Sequence, residues 1–158
     1  MSKNKNFLYQ IFVISLLFSS LNISAAKKPN IVLILIDDLG LTDLQAFGGE
    51  ISTPNMDVLA NDGMLFTNYH TTPECAPSRA MLLTGMDNHN TGIPMIPEVM
   101  PWKYRNIPGY EGYLREDALT LAEILKPAGY KSYMTCKWHL AFGGQKTAAL
   151  PYHRGFDK

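Results

Sequence analysis

Asn30-Ile31-Val32-Leu33-Ile34-Leu35-Ile36-Asp37-Asp38-Leu39-Gly40 runs from unbroken aliphatic residues straight into two carboxylates. A strand with one wet face alternates apolar and polar residues. An unbroken Ile/Val/Leu run instead predicts a strand buried on both faces, as in a parallel sheet covered by helices. The acidic pair then falls where that strand ends.

Toward the C-terminus, strand and helix signals alternate. Thr53-Pro54-Asn55 opens a helix through Ala60, and Gly63 stops it. Met64 to Tyr69 is a second apolar strand candidate. Pro77 to Leu83 is helical, with proline in the first turn and Gly85 past the end. Residues 86–113 are rich in Pro, Gly, Asn and Tyr and read as a long surface loop. Ala118 to Lys126 carries Leu121, Ile124 and Leu125 at helical spacing, ended by Pro127 and Gly129. Tyr130 to Thr135 is a third strand candidate, leading into Cys136-Lys137-Trp138-His139. The alternation predicts an α/β layered fold with a mostly parallel central sheet. Ligands of such folds gather beyond the C-terminal strand ends. Asp37-Asp38 and Lys137-Trp138-His139 both fall there.

Toward the N-terminus the character changes. Lys3 and Lys5 precede a mostly apolar stretch from Phe7 to Leu21, and Ser24-Ala25-Ala26 supplies small residues for cleavage. That order predicts a signal peptide over residues 1–26, with residues 27–158 forming one domain. The apolar stretch is short for a membrane span, so no stable membrane anchor is expected. The chain is then periplasmic or secreted, in an oxidising compartment. Two cysteines, Cys75 and Cys136, make no disulfide framework. Hydrophobic residues make up 46% and charged residues 18%, a globular balance. With zero formal net charge and no basic run, nucleic acid is not an expected partner.

Three groups carry candidate chemistry. Adjacent carboxylates at Asp37 and Asp38 repel unless a cation lies between them, and calcium or magnesium prefers such oxygens. A solvated turn or a helix N-cap would explain the pair equally well. Cys75 lies where the helix near Pro77 begins. Backbone N–H groups there attract anions, and Arg79, one turn along, offers a planar cation for sulfate or phosphate oxygens. A buried structural cysteine is the plainer alternative. Lys137 and His139, two apart in an extended segment, share a face with Trp138 turned away into packing. Such a pair can bind an anion and donate a proton, or can simply lie at the surface.

Together these segments resemble a known family. Cys75-x-Pro77-Ser78-Arg79 followed by Leu83-Thr84-Gly85 matches the sulfatase signature. Lys28-Pro29-Asn30-Ile31-Val32 with Asp37-Asp38-Leu39-Gly40 resembles the family's first strand, and Thr53-Pro54-Asn55-Met56-Asp57 its next helix. Thr120-Leu121-Ala122-Glu123, Ala128-Gly129-Tyr130 and Lys137-Trp138-His139-Leu140 resemble a third block, and Gly155-Phe156-Asp157 a fourth. The resemblance covers residues 27–158 in family order and is similar to bacterial arylsulfatases.

The resemblance implies an alkaline-phosphatase-like layered fold, incomplete in this chain. It implies a sulfuric ester hydrolase acting on a sulfated small molecule or glycan. A maturation enzyme would convert Cys75 to formylglycine. The hydrated aldehyde would attack the sulfate ester, and its second hydroxyl would later lose a proton to release sulfate. Asp37, Asp38 and the modified Cys75 would bind Ca2+, with Mg2+ as the alternative. Arg79 would hold the hydrate, and Lys137 and His139 would contact the hydrate and the sulfate. A phosphonate or phosphodiester hydrolase of the same superfamily would show the same motif, and an inactive truncated fragment is a third reading.

Two departures stand out. Cys136 replaces the glycine usual before Lys-Trp-His, and Ala141 replaces another just after His-Leu. Cys136 is expected to strain the backbone or mispair with Cys75, so glycine there should improve solubility or maturation. The family's second group of metal ligands, an Asp-Asn pair, and a further His and Lys have no counterpart among these residues. These 158 residues alone are therefore expected to be poorly folded and inactive. Assay of the isolated chain against an aryl sulfate checks this: turnover that disappears on mutating Cys75 would overturn it.

Overall fold

The structure, a computed structural model, describes residues 27–105, 107–142 and 147–158. The signal peptide expected over residues 1–26 lies outside the described residues. By internal contacts the chain forms two units, Met1–Leu35 and Ile36–Lys158. The described part of the first has no regular secondary structure and is exposed, Val32 at 80%.

In the second unit, helix ends follow the local chemistry. Pro54–Asp62 (α1) starts with proline and stops at Gly63, whose N–H bonds to Leu59 O. Cys75–Thr84 (α2) ends at Gly85, left-handed at φ 68°, whose N–H reaches Met81 O. Helix α2 thus begins two residues before Pro77, which still sits in the first turn where no N–H partner is needed. Asn88–Thr91 (α3) is one turn, capped by Asp87 on the His89 N–H. Leu121–Leu125 (α4) is shorter than expected. It opens with a capping box, Thr120 Oγ1 accepting from the Glu123 N–H while the Thr120 N–H donates to Glu123 Oε2. A 3-10 turn, Lys126–Ala128, then leads to Gly129.

The expected sheet is not present among the described residues. Residues 30–36, 64–66 and 130–135 carry no regular secondary structure, and the bridge between Tyr113 and Ala141 is isolated. Extended backbone becomes a strand only when its N–H and C=O groups meet a partner strand. The two-sided burial expected of residues 30–36 is likewise not met. Residues 130–135 do alternate half-buried and exposed positions, the period of a strand.

The core is small. Ala76 and Ala80, one turn apart on α2, meet Ile93, Leu114, Ala118 and Leu140, with Leu83, Met86 and Trp138 packed around them. Residues 86–113 are therefore more than a surface loop. They bury Ile93 and Met100 and carry 3-10 turns at Pro97–Val99 and Trp102–Tyr104. The loop is tied down by Gly112 N–H to Gly92 O, at 2.8 Å, and Leu114 N–H to Leu140 O, at 2.9 Å.

The Gly155-Phe156-Asp157 block is a clamp. Arg154, 2% exposed, donates to Arg115 O and Ala118 O and pairs with Glu123. Thr120 Oγ1 donates back to Arg154 O at 2.8 Å. Asp157 N–H bonds to Ser132 O at 2.7 Å, and the Ser132 N–H to Asp157 Oδ2 at 2.9 Å. Phe156 meets Trp138 edge to face at 5.8 Å. The block thus fixes the segment that leads to Lys137 and His139. Gly155 is required by close approach: at φ 88°, a Cβ would lie 2.5 Å from Glu123 N. Gly48, at φ 87°, has nothing within 4 Å. Gly155→Ala should therefore cost about 2–4 kcal/mol, and Gly48→Ala only the backbone part, about 1–2 kcal/mol. Denaturant unfolding of the two variants, made in the full-length protein, checks this, and equal losses would refute the close-approach argument.

Candidate active site

The site is assembled on the first turn of α2. Cys75 is its first residue, and Arg79 follows one turn later, buried on the core side. The guanidinium Nη1 donates to Lys137 O at 2.9 Å and Nη2 to Asp37 Oδ1 at 3.3 Å. Its Nε is buried with no partner among the described residues. Lys137 Nζ reaches the other Asp37 oxygen at 2.5 Å. One carboxylate is thus held between two cations. The Lys137 bond, aided by Arg79 and opposed by partial desolvation, holds the Asp37 carboxyl below its ordinary range. The Lys137 ammonium is held above its ordinary range, first by Asp37 and further by the nearby Cys75 side chain.

Trp138 turns away from this cluster. Its Nε1 donates to Ala149 O at 2.8 Å while its ring meets Phe156. His139 turns in: Nδ1 lies 3.3 Å from Cys75 Sγ, and Nε2 lies 3.0 Å from Glu98 Oε2. The structure therefore brings Asp37, Cys75, Arg79, Lys137 and His139 together. Asp38 stands apart. It is exposed, and its carboxylate makes no hydrogen bond or ion pair among the described residues.

Glu98 and Glu74 escaped the sequence reading. Glu98 comes from the 86–113 loop, 41 residues before His139. Glu74, at the N-cap of α2, leaves its own helix uncapped and accepts the Ile96 N–H at 2.6 Å. No periodicity marks either carboxylate, because both partners are distant in sequence.

Among the described residues, three non-glycine residues have positive φ: Asp38 at 57°, Cys136 at 71° and His139 at 62°. All three adjoin the cluster, where strained backbone commonly collects. Both cysteines are free, Cys75 half-buried and Cys136 exposed.

These residues do not by themselves make a calcium cage. Both Asp37 oxygens face cations, and no group of three or more His, Cys, Asp or Glu side chains could hold an ion among the described residues. Calcium asks for six to eight oxygens. No helix among the described residues is long and apolar enough to cross a membrane.

Comparison with known proteins adds the family. The sulfatase family model matches residues 29–158. An uncharacterized sulfatase of Schizosaccharomyces pombe is 44% identical over 137 residues, covering 84% of this chain and 24% of that protein. An arylsulfatase of Klebsiella aerogenes is 42% identical over 134 residues, covering 83% and 27%. Human arylsulfatase A is 41% identical over 145 residues, covering 90% and 27%. The chain spans about a quarter of the length of these curated relatives.

The left-handed backbone at Cys136 gives a direct prediction. A non-glycine residue there costs about 1–2 kcal/mol, partly offset by the extra freedom glycine has when unfolded. Cys136→Gly should stabilise the protein by roughly 0.5–1 kcal/mol. Cys136→Ala removes the thiol and keeps the strain. Equal stability of the two variants in denaturant unfolding of the full-length protein would show that the backbone is not the cause.

Proposed function

The chain belongs to the sulfatase family, and from that premise we propose that it supplies the nucleophile-bearing part of a sulfuric ester hydrolase, arylsulfatase-like in its chemistry. The family's fold is alkaline-phosphatase-like. On this reading residues 30–36 and 130–135 are strands of its mostly parallel sheet. The strand-like alternation along residues 130–135 supports that assignment.

The observation that carries the function is the placement of His139 and Lys137 beside Cys75 at a helix start, with Lys137 and Arg79 both fixed on Asp37. Cys75 is the residue a maturation enzyme would convert to formylglycine. Its half-buried Sγ, beside His139 and Lys137, occupies a place where an oxygen would find both a proton acceptor and a positive charge. Once made, the hydrated aldehyde would supply an oxygen nucleophile for the sulfur of a sulfate ester.

The chain's own residues then have defined tasks. Arg79 ties the Lys137 carbonyl to Asp37, so the two cations keep a fixed spacing. Lys137, whose ammonium Asp37 keeps charged, faces the anionic oxygens of the sulfate. His139 holds or takes a proton at position 75. Charges fixed before the reaction need no reorganisation during it, which is why their rigid bracing matters. Asp37 and Asp38 are the candidate ligands for a divalent ion, calcium or magnesium. The remaining oxygens would have to come from outside the described residues, so no step is routed through the ion.

The proposed substrate is a sulfated small molecule or glycan, met after export to the periplasm or beyond. The test is a fragment spectrum over the Cys75 peptide of the full-length protein from its native host, with aryl sulfate and phosphodiester turnover side by side. Aldehyde at position 75, preference for the sulfate, and a loss of at least about a thousandfold in Cys75→Ala are expected. An active protein with an unmodified thiol at Cys75 would end this reading.

A further inference from the structure

We propose that Glu98 is a positioning residue for His139, fixing the imidazole in the one tautomer that leaves Nδ1 free to accept a proton from the side chain at position 75. The inference rests on the reading of Cys75 as the nucleophile's precursor.

The geometry is a line of three groups. Cys75 Sγ lies 3.3 Å from Nδ1, and Nε2 of the same ring lies 3.0 Å from Glu98 Oε2. An ionised carboxylate can only accept, so Nε2 must carry the hydrogen and donate it to Glu98. A neutral imidazole has one N–H, so Nδ1 keeps its lone pair, aimed at position 75. Burial presses the Glu98 carboxyl upward. The bond from the His139 ring, its own backbone N–H and nearby positive charge outweigh that and hold it below its ordinary range.

Glu98 is itself braced. It sits on the Pro97–Val99 turn, whose Pro97 is buried and whose Val99 N–H bonds to Ile96 O. The Ile96 N–H is in turn gripped at 2.6 Å by Glu74, the residue directly before Cys75. The helix start therefore holds the loop, the loop holds the ring, and the ring faces the helix start. His139 also needs outside support, because its φ of 62° is unfavourable for a residue with a Cβ. Its side chain is 18% exposed, and the next residue, Leu140, is buried outright.

The step this serves is a single proton transfer. A hydroxyl at position 75 loses its O–H bond, the electron pair stays on oxygen, and the proton moves to Nδ1. The resulting imidazolium remains bonded through Nε2–H to the Glu98 carboxylate. Solvent later removes the proton and restores the neutral ring. Carboxylate partners behind metal-bound histidines typically contribute about 10- to 100-fold, and the same order is expected for Glu98 behind His139.

The experiment uses the full-length matured protein, with Cys75 conversion checked by mass in every variant. Glu98→Ala should lower kcat on an aryl sulfate by about 10- to 100-fold with KM within about twofold. Glu98→Gln, which keeps an acceptor oxygen, should fall between it and the wild type. Glu98→Ala combined with His139→Ala should be no slower than His139→Ala alone, since Glu98 acts through the ring. Long-range 1H–15N spectra with labelled histidine should show the hydrogen on Nε2 in the wild type and a tautomer mixture in Glu98→Ala. Wild-type kcat in Glu98→Ala, multiplying losses in the double variant, or an unchanged tautomer would overturn the proposal. If the wild type shows neither aldehyde nor sulfate hydrolysis, the sulfatase reading falls, and the histidine spectrum still decides the link between Glu98 and His139.

Discussion

One guanidinium holds the site's three segments in register. Arg79 rises from α2, takes the Lys137 carbonyl with one nitrogen and the Asp37 carboxylate with another. A lysine in its place would offer a point charge and could not span both acceptors from one fixed plane. The fork sets where the Lys137 backbone runs, and therefore where the Lys137 ammonium and the His139 ring arrive. Arg79 is buried, so this bracing operates where competing water is scarce.

The rest of the unit supports that register from behind. Ala76 and Ala80 let the core approach α2 closely, because neither carries more than a methyl group. On the far side of the Lys137 segment, Trp138 and Phe156 form an aromatic contact, and Arg154 ties the carbonyls of Arg115 and Ala118 to the Glu123 carboxylate. The Gly155-Phe156-Asp157 block, a bare motif in the sequence, is thus a mechanical part. Its glycine permits contact with α4, its aromatic ring carries Trp138, and its carboxylate pairs with Ser132.

Local chemistry was the legible part of the sequence. Pro54 and Gly63 bound α1, Gly85 ends α2, and Thr120 with Glu123 marks the start of α4, because each signal lies within one helical turn of its effect. The clustering of Cys75 with Arg79, Lys137 and His139 was legible through a long mixed motif. The aliphatic run at residues 30–36 was read for what it needs, a partner on each side, and sequence says nothing of whether those partners are at hand. Glu98, Glu74 and Arg154 were not legible at all. Each matters through a contact 22 or more residues away, made by side chains whose types are common on any surface. The bracing of His139 therefore depends on how the loop folds back, which no local pattern encodes.

The free state of both cysteines has a practical use. This stretch of chain offers two sulfhydryls, one half-buried and one exposed. Conversion at position 75 would remove one sulfur and leave Cys136 alone. A simple thiol titration of this stretch would then count matured molecules. Because Cys136 adjoins Lys137, a fluorophore attached to the remaining sulfur would sit one residue from that ammonium and report when an anion approaches it.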